Sequence, residues 1–174
     1  MNNIYYYNIM NPKNWPENIK YTNKLLDENK LDTEQYNIQG VYIDEIIDEK
    51  HPVYGQKGLF SKRRWEKFEV IGNYCGIICD PCVTNKYVAR LYHDLSSEET
   101  LCINALECGN ELRYINDYRN IAEEPNTKFI SSNINGNQQI LVIVTKDILP
   151  YTEILIDYGV DYWNYWNEYD KKKN

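Results

Sequence analysis

The sequence predicts a mostly β fold of the α+β class, built as one domain. From Gly40 onward, short runs rich in Ile, Val, Tyr and Cys are separated by Gly, Pro, Asp and Asn, a pattern typical of strands joined by turns. A single amphipathic helix is indicated before them, near the N-terminus. A chain of 174 residues suits one domain with its own hydrophobic core.

The helix is expected to begin at Pro16 and to continue to about Leu31. Proline favours the first helical turn, and Ile19, Leu25 and Leu26 supply an apolar stripe. We therefore predict an N-terminal helical flank over residues 1–34. The domain itself is placed at 35–168, and 169–174 is interpreted as a charged, solvated end.

The clearest hairpin joins residues 128–132 to 138–146. Asn135 and Gly136 lie between the arms, and Asn-Gly tolerates the positive φ values that a tight turn requires. The second arm contains the continuous apolar run 140–144, which predicts a strand covered on both faces. An aromatic tail follows the last strand. The other predicted strands are 41–43, 68–74, 87–92, 101–106 and 153–158.

The net charge of −7 argues against a nucleic-acid binder, because neutralising phosphates needs a surplus of Lys and Arg. A basic protein or peptide fits better, since an acidic surface speeds the encounter with a cationic chain. No stretch approaches the ~18 apolar residues of a membrane span, and the N-terminus lacks the basic-then-apolar pattern of a signal peptide. We expect an intracellular protein without membrane contact.

The cysteines form an odd set of five, which favours reduced thiols over a disulfide framework. Cys79 and Cys82 have the Cys-x-x-Cys spacing of zinc sites. Two ligands do not close a tetrahedral site, so no metal is predicted.

Several segments contain residue types that carry chemistry, although each alone also fits a structural role. A Gly-x-x-Gly is usually a turn, Asp-Tyr-Gly commonly ends a strand, and an aromatic pair near a C-terminus often packs in a core. The segments are 55–60, 73–76, 109–126, 157–159 and 162–163.

Their order and spacing resemble the motif series of the SET-domain lysine methyltransferases, over about residues 55–163. Four family motifs occur in sequence. The matches are 58–62 with Gly-x-Gly-Leu-Phe-Ala, 70–76 with Val-Ile-x-Glu-Tyr-x-Gly, 110–117 plus 125–126 with Ala-Arg-Phe-Ile-Asn-His-Ser-Cys-x-Pro-Asn, and 148–159 with Ile-x-x-Gly-Glu-Glu-Leu-x-x-Asp-Tyr-Gly.

The sequence departs from the family pattern at three places. Gln56 stands at the first glycine of Gly-x-Gly, unless Gly55 serves with one extra residue. Asp117 replaces the usual His. The zinc-binding Cys-rich region that follows many SET domains is absent, and residues 158–163 instead resemble minimal, free-standing SET proteins that close the site with an aromatic tail.

The resemblance implies a SET fold of several small β-sheets, in which 113–117 pass under the C-terminal segment as a pseudoknot. It also implies S-adenosylmethionine as the methyl donor and a lysine in a basic protein, first of all a histone tail, as the acceptor. Transfer is an in-line displacement, so alignment and delivery of a neutral amine are the main tasks. A dedicated base is not required, and His51 and His93 lie outside all motifs.

The same resemblance assigns roles to individual residues. Tyr158 and Tyr74 match the catalytic tyrosines of the methyl-transfer channel, and Tyr114 and Ile156 are assigned to the substrate channel. An aliphatic residue at Ile156 favours di- or trimethylation, because it offers no polar group to restrain a methylated lysine. The implied cofactor-binding residues are Lys57, Gly58, Leu59, Arg113, Asn116, Asp117 and Trp163, whose indole would stack on adenine.

Two alternatives remain open at this stage. One is a lysine methyltransferase for a non-histone protein. The other is a SET-fold binding or regulatory module without catalysis, which Gln56, Asn73 and Asp117 favour and the retained tyrosines disfavour. A histone substrate would imply a nuclear protein, and a monomer or a homodimer is expected.

Overall fold

The computed structural model describes residues 11–26, 38–80, 83–91, 101–134 and 137–173. Within these ranges the chain forms short strands in small sheets, a 3-10 helix over Glu111–Tyr114 and one α-helix, so the predicted mostly β fold is confirmed. The elements are β1 (Lys20–Tyr21), β2 (Val41–Glu45), β3 (Lys57–Ser61), β4 (Val70–Asn73), β5 (Ile77–Cys79), β6 (Val88–Leu91), β7 (Leu101–Asn104), β8 (Cys108–Gly109), β9 (Asn116–Asp117), β10 (Thr127–Ile134), β11 (Asn137–Val144), β12 (Leu155–Ile156) and α1 (Val160–Lys173).

The predicted hairpin is formed by β10 and β11, which pair antiparallel along all eight residues of each strand. Its turn residues, 135 and 136, lie outside the described ranges. β4 pairs with the other edge of β11. The expectation that β11 is covered on both faces is wrong: Ile140, Val142 and Val144 are buried, whereas the residues between them are only half-buried. Antiparallel sheets commonly keep one face partly solvated.

Most of the other strands predicted from residue type are confirmed, with shifted ends. The predicted 87–92 and 101–106 correspond to β6 and β7, which pair antiparallel, although residue 92 is outside the described part. β5 was not predicted and pairs with the other edge of β7. Only Leu155–Ile156 of the predicted 153–158 is a strand; Glu153 forms an isolated bridge with Phe60, and the Tyr158 N–H donates to a side chain.

β12 lies between two parts of one stretch of chain. On one side it pairs in parallel with β9, and on the other the Thr127 hydroxyl donates to the Leu155 carbonyl at 2.8 Å. The side chain of Asn126 bonds to this segment twice, donating to the Glu153 carbonyl and accepting from the Leu155 N–H, both at 2.8 Å. Both ends of the stretch 116–127 therefore bond to the C-terminal segment, which is the predicted pseudoknot arrangement.

The predicted helix from Pro16 is wrong over residues 16–26. This segment turns after Pro16, pairs β1 in parallel with β8, and bridges Leu26 to Ile77. Trp15 is buried against the rings of Tyr21 and Tyr114. Pairing and aromatic packing with the domain override a weak helical preference, and the remainder of the predicted helix lies outside the described residues.

The aromatic tail and charged end form α1, a 14-residue helix that begins directly after Gly159, whose φ is +87°. Tyr162, Tyr165, Trp166 and Tyr169 follow the i, i+3, i+4, i+7 spacing of one helical face. Neighbouring rings on this face are 5.3 to 6.4 Å apart. No helix within the described ranges is long and apolar enough to cross a membrane.

Candidate active site

A cavity of about 730 Å³ opens between residues 83–90, strand β10 and the start of α1. It combines aromatic walls with charged residues at its edges. Four predicted residues line it, namely Tyr74, Arg113, Ile156 and Tyr158, and Ile156 is 1% exposed. The aromatic side chains in its lining are Tyr74, Phe129, Tyr158, Tyr162, Tyr165 and Trp166.

Tyr158 is anchored at both its backbone and its hydroxyl. The hydroxyl donates to the Ile115 carbonyl at 2.7 Å, and the backbone N–H donates to Asp117 Oδ2 at 2.7 Å. Burial raises the pKa of Tyr158 well above its ordinary value of 10. The hydroxyl therefore stays protonated at neutral pH, with its hydrogen directed to the Ile115 carbonyl and its oxygen lone pairs left as acceptors.

Tyr74 shows the same design on another wall of the cavity. Its hydroxyl donates to the Tyr87 carbonyl at 2.9 Å, and its ring meets the edge of Phe129 with centroids 5.4 Å apart. Burial raises the pKa of Tyr74 above the usual tyrosine value. The two predicted catalytic tyrosines therefore both line the cavity as neutral hydroxyls held by backbone carbonyls.

Tyr162 is a cavity residue to which the sequence analysis gave no role of its own, although it singled out the segment 162–163. Its ring lies 4.7 Å from that of Tyr158, centroid to centroid, and burial raises its pKa to about 12. The helical spacing of the tail could have revealed it, because that spacing places residue 162 one turn before Trp166, which also lines the cavity.

Trp163 lies beside Tyr162, with ring centroids 5.5 Å apart, but it does not line the cavity. Its indole N–H is buried and has no hydrogen-bond partner among the described residues. Tyr114, predicted for the substrate channel, is also outside the cavity lining: it packs against Trp15 at a centroid distance of 5.8 Å. The N-terminal segment, which the sequence analysis had assigned to a helical flank outside the domain, therefore packs against the Tyr114 ring.

Lys57, Gly58 and Asn116 gather around the carboxylate of Glu153. The Asn116 amide donates to Glu153 Oε1 at 2.9 Å and to the Lys57 carbonyl at 3.3 Å. A Cβ atom at Gly58 would lie 2.9 Å from the same carboxylate oxygen, so only glycine fits there without a shift. Leu59, next along β3, is fully buried.

Gly55, the alternative to Gln56 at the first motif glycine, adopts a turn conformation. Its φ is +74°, which favours glycine, and nothing lies within 4 Å of where its Cβ would be. The alignment that puts Gln56 at the motif position stays a prediction.

Asp117, which replaces the usual His, uses its side chain as a hydrogen-bond acceptor. Its carboxylate accepts from the Tyr158 N–H, from the Arg119 N–H at 2.9 Å and from Arg119 Nη1 at 2.8 Å. The same guanidinium nitrogen donates to Asp157 at 2.7 Å. Asp117 therefore holds the Tyr158 N–H, and Arg119 links it to Asp157, whose carboxylate accepts from the Gly159 N–H.

Arg113 contributes its charge to the cavity wall while its donors serve the backbone. Nε donates to the Ala105 carbonyl at 2.8 Å and Nη2 to the Leu106 carbonyl at 3.3 Å. The guanidinium carbon lies 4.0 Å from the centre of the Tyr87 ring. This packing fixes the chain just after β7 and the side chain of Tyr87, the residue whose carbonyl accepts from the Tyr74 hydroxyl.

The predicted residues thus form two groups joined by residues 115–117. Tyr74, Arg113, Ile156 and Tyr158 meet at the cavity, and Lys57, Gly58 and Asn116 meet at Glu153. Ile115 and Asp117 bond to Tyr158, while Asn116 between them faces the second group. Of the possible metal ligands, Cys82 lies outside the described residues, and no cluster of three His, Cys, Asp or Glu side chains occurs within them.

The SET-domain family model matches residues 56–159, which is more than half of the chain. The chain therefore belongs to the SET-domain family, the family whose motifs its sequence resembles. A comparison with curated protein sequences finds no match.

Solved structures with the same fold include two of ATXR5. One, in complex with a mono-methylated histone H3.1, has a TM-score of 0.62 and 11% sequence identity, and the match covers 82% of each chain. The other, the ATXR5 SET domain in complex with a di-methylated histone H3, has a TM-score of 0.53 and 17% identity. It covers 70% of this chain and 58% of that one. At these identities the likeness establishes the fold.

Proposed function

We propose that this protein is a lysine methyltransferase that transfers a methyl group from S-adenosylmethionine to a lysine of a basic protein. The observation that carries the proposal is the aromatic cavity, in which Tyr158 presents a fixed, protonated hydroxyl bonded to the carbonyl of Ile115, the residue before Asn116. The family match and the ATXR5 fold support the same assignment.

The residues present fit S-adenosylmethionine. Both hydrogens of the Asn116 amide are directed to protein acceptors, which leaves Oδ1 to accept from the ammonium group of the cofactor's amino-acid end. The orphaned indole N–H of Trp163 suits an adenine ring, which carries nitrogen acceptors. The backbone of residues 57–59 and these two side chains would hold the cofactor, which supplies a methyl group on a positively charged sulfur.

The cavity prepares the acceptor lysine. In water, on the order of one lysine in a thousand is neutral at pH 7. Burial of the lysine between the aromatic walls disfavours the ammonium form and so lowers the cost of losing the proton. The Tyr158 and Tyr74 hydroxyl oxygens accept hydrogen bonds from the amine, because their own hydrogens are committed to backbone carbonyls. These bonds orient the nitrogen lone pair for in-line attack.

A histone tail is the first substrate to test. The net charge of −7 favours encounter with a cationic chain, and the ATXR5 structures contain histone H3. The protein would then act in the nucleus. A basic non-histone protein satisfies the same chemistry, so the substrate assay includes both.

Two measurements test the proposal. Calorimetric titration with S-adenosylmethionine should show saturable binding, whereas a SET-fold module without catalysis should show none. Incubation with labelled cofactor, histones and a cell extract should then label a band. Labelling of histone H3 supports the histone assignment, labelling of another band assigns a non-histone substrate, and binding without any labelled band contradicts the enzymatic proposal.

A further inference from the structure

We propose that His51 is a positioning residue, which fixes the amide of Asn116 by holding the carboxylate of Glu153 between them. His51 has no part in the chemistry described above, and Glu153 enters it only as an acceptor for the Asn116 amide. The hydrogen bonds that join His51, Glu153 and Asn116, called the relay below, are present in the structure. Their consequence for cofactor binding rests on the proposed function.

His51 and Glu153 form a nearly buried pair. His51 Nε2 lies 3.0 Å from Glu153 Oε2, and the two side chains are only 10% and 11% exposed. The residues are 102 positions apart, and the contact ties the loop between β2 and β3 to the segment that leads into β12. A carboxylate at this depth requires donors for both of its oxygens.

The hydrogen-bond pattern selects one neutral form of the His51 ring. The Val53 N–H donates to Nδ1 at 3.3 Å, so Nδ1 is an acceptor and carries no hydrogen. Nε2 must then carry the hydrogen, which points at Glu153. A neutral imidazole is therefore sufficient to hold one carboxylate oxygen.

The other carboxylate oxygen decides which way Asn116 faces. Its amide nitrogen meets two acceptors, Glu153 Oε1 at 2.9 Å and the Lys57 carbonyl at 3.3 Å. A flipped amide would place its oxygen against both acceptors with no hydrogen between them, which is strongly unfavourable. The carboxylate thus forces Oδ1 to the opposite side, where the proposed function requires an acceptor.

His51 matters because it holds the second oxygen of the Glu153 carboxylate in place. The Oε1 atom is confined next to Gly58, where an added Cβ would lie at 2.9 Å. Loss of the imidazole donor leaves Oε2 buried and unpaired, which favours rotation of the carboxylate. Rotation removes an acceptor from Asn116 and releases its amide. Partners that orient a binding residue commonly change affinity by about 10-fold or more when removed, as they do at metal sites.

The first test uses the cofactor-free protein and two variants. His51→Leu removes the donor, while His51→Gln keeps an N–H that can reach Glu153. We expect the NMR signals of the Asn116 side-chain amide to shift in His51→Leu and to stay near their wild-type positions in His51→Gln. Glu153→Gln changes the next residue of the relay, which bonds to Asn116 directly, and should shift the same signals. Unchanged Asn116 signals in a folded His51→Leu protein would overturn the relay.

The second test measures what the relay does. In His51→Leu, the Kd and the KM for S-adenosylmethionine should rise about 10-fold, while the KM for the peptide and the saturated kcat stay within about 3-fold. His51→Gln should restore most of the cofactor affinity. A general loss of folding would instead lower kcat and weaken the binding of both the cofactor and the peptide. That result would contradict a positioning role.

The two tests separate this inference from the proposed function. Asn116 signals that respond to His51 in a wild-type protein that binds no S-adenosylmethionine support the relay and refute the proposed cofactor. A wild-type protein that binds the cofactor, combined with Asn116 signals indifferent to His51, supports the proposed function and refutes the relay.

Discussion

Replacement of Tyr158 by Phe removes one oxygen atom from the cavity wall and leaves the ring in place. The hydroxyl makes a 2.7 Å hydrogen bond to the Ile115 carbonyl. If its oxygen also orients the attacking amine, the variant should lose roughly 10²-fold in kcat, which corresponds to about 2.7 kcal/mol of transition-state stabilisation. The Kd for S-adenosylmethionine should stay within about 3-fold, because the Asn116 contacts do not involve this hydroxyl.

Stability must be measured alongside activity, because the same change leaves the Ile115 carbonyl without this donor. A buried carbonyl that loses its partner costs about 1 kcal/mol or more. In a domain of this size, that loss lowers Tm by about 2–4 °C. Thermal unfolding at pH 7 and single-turnover transfer of labelled methyl to a histone H3 peptide give the two numbers separately.

Tyr21→Phe is the matched control. Its hydroxyl is also part-buried and bonded, with Glu111 Oε2 at 3.0 Å, but Tyr21 does not line the active-site cavity. The control should lose a similar amount of stability and keep kcat within about 3-fold of the wild-type value. Equal kcat for Tyr158→Phe and the wild type, at saturating substrate, would remove the Tyr158 hydroxyl from the mechanism.

Three further predictions concern other parts of the molecule. Ile156→Tyr, at a buried position that lines the cavity, should shift the product from di- or trimethyl-lysine toward monomethyl-lysine; mass spectra of an exhaustively treated peptide decide it, and a wild-type reaction that halts at one methyl would contradict this role of Ile156. Tyr151→Gly should stabilise the protein by about 0.5–1 kcal/mol in urea unfolding. Tyr151 is exposed and has a φ of +66°, where a side chain costs about 1–2 kcal/mol, and the greater unfolded-state entropy of glycine offsets part of this gain. A loss of stability would show that the side chain contributes packing. Burial raises the pKa of Glu111 above 4.5, so its ionisation costs stability as pH rises through the folded-state pKa, and the cost is absent below about pH 4.5. Glu111→Gln should therefore gain stability over the wild type at pH 7 but not at pH 4, and a pH-independent difference in unfolding free energy would contradict the assignment.

The strands were predictable because their signal is local. Runs of β-branched and aromatic residues between turn residues identified β2, β4, β6 and β7, and the Asn-Gly pair marked the hairpin. The helix from Pro16 failed because its outcome depends on long-range pairing: Lys20 and Tyr21 meet Cys108 and Gly109, residues almost 90 positions away. No local pattern reports such a partner.

Helix α1 was missed for a different reason. The tail was interpreted as aromatic packing, although Tyr162, Trp166 and Tyr169 already followed a helical spacing without an intervening Gly or Pro. Counting that period would have predicted the helix and the place of Tyr162 next to Tyr158. The information was in the sequence and was read only as composition.

The cavity tyrosines were identified through family motifs, but the partners that fix them were not. The motif marks Tyr158 and implies a cofactor contact for Asp117. It does not show that the Asp117 carboxylate bonds to the Tyr158 N–H, because that contact joins residues 41 positions apart. The pairing of His51 with Glu153 is similarly invisible in a sequence. Motifs name the residues at a site, whereas the hydrogen bonds that orient them depend on the fold.

The pseudoknot also has a topological consequence. β12 is held by a stretch of chain whose ends, near 116 and 127, both bond to it, while residues 122–124 on that stretch are exposed. A single peptide-bond cleavage there would remove no contact with β12 and yet would turn a closed enclosure into two independent arms. Chain continuity, a property that no individual residue carries, therefore limits how far the segment bearing Tyr158 can move.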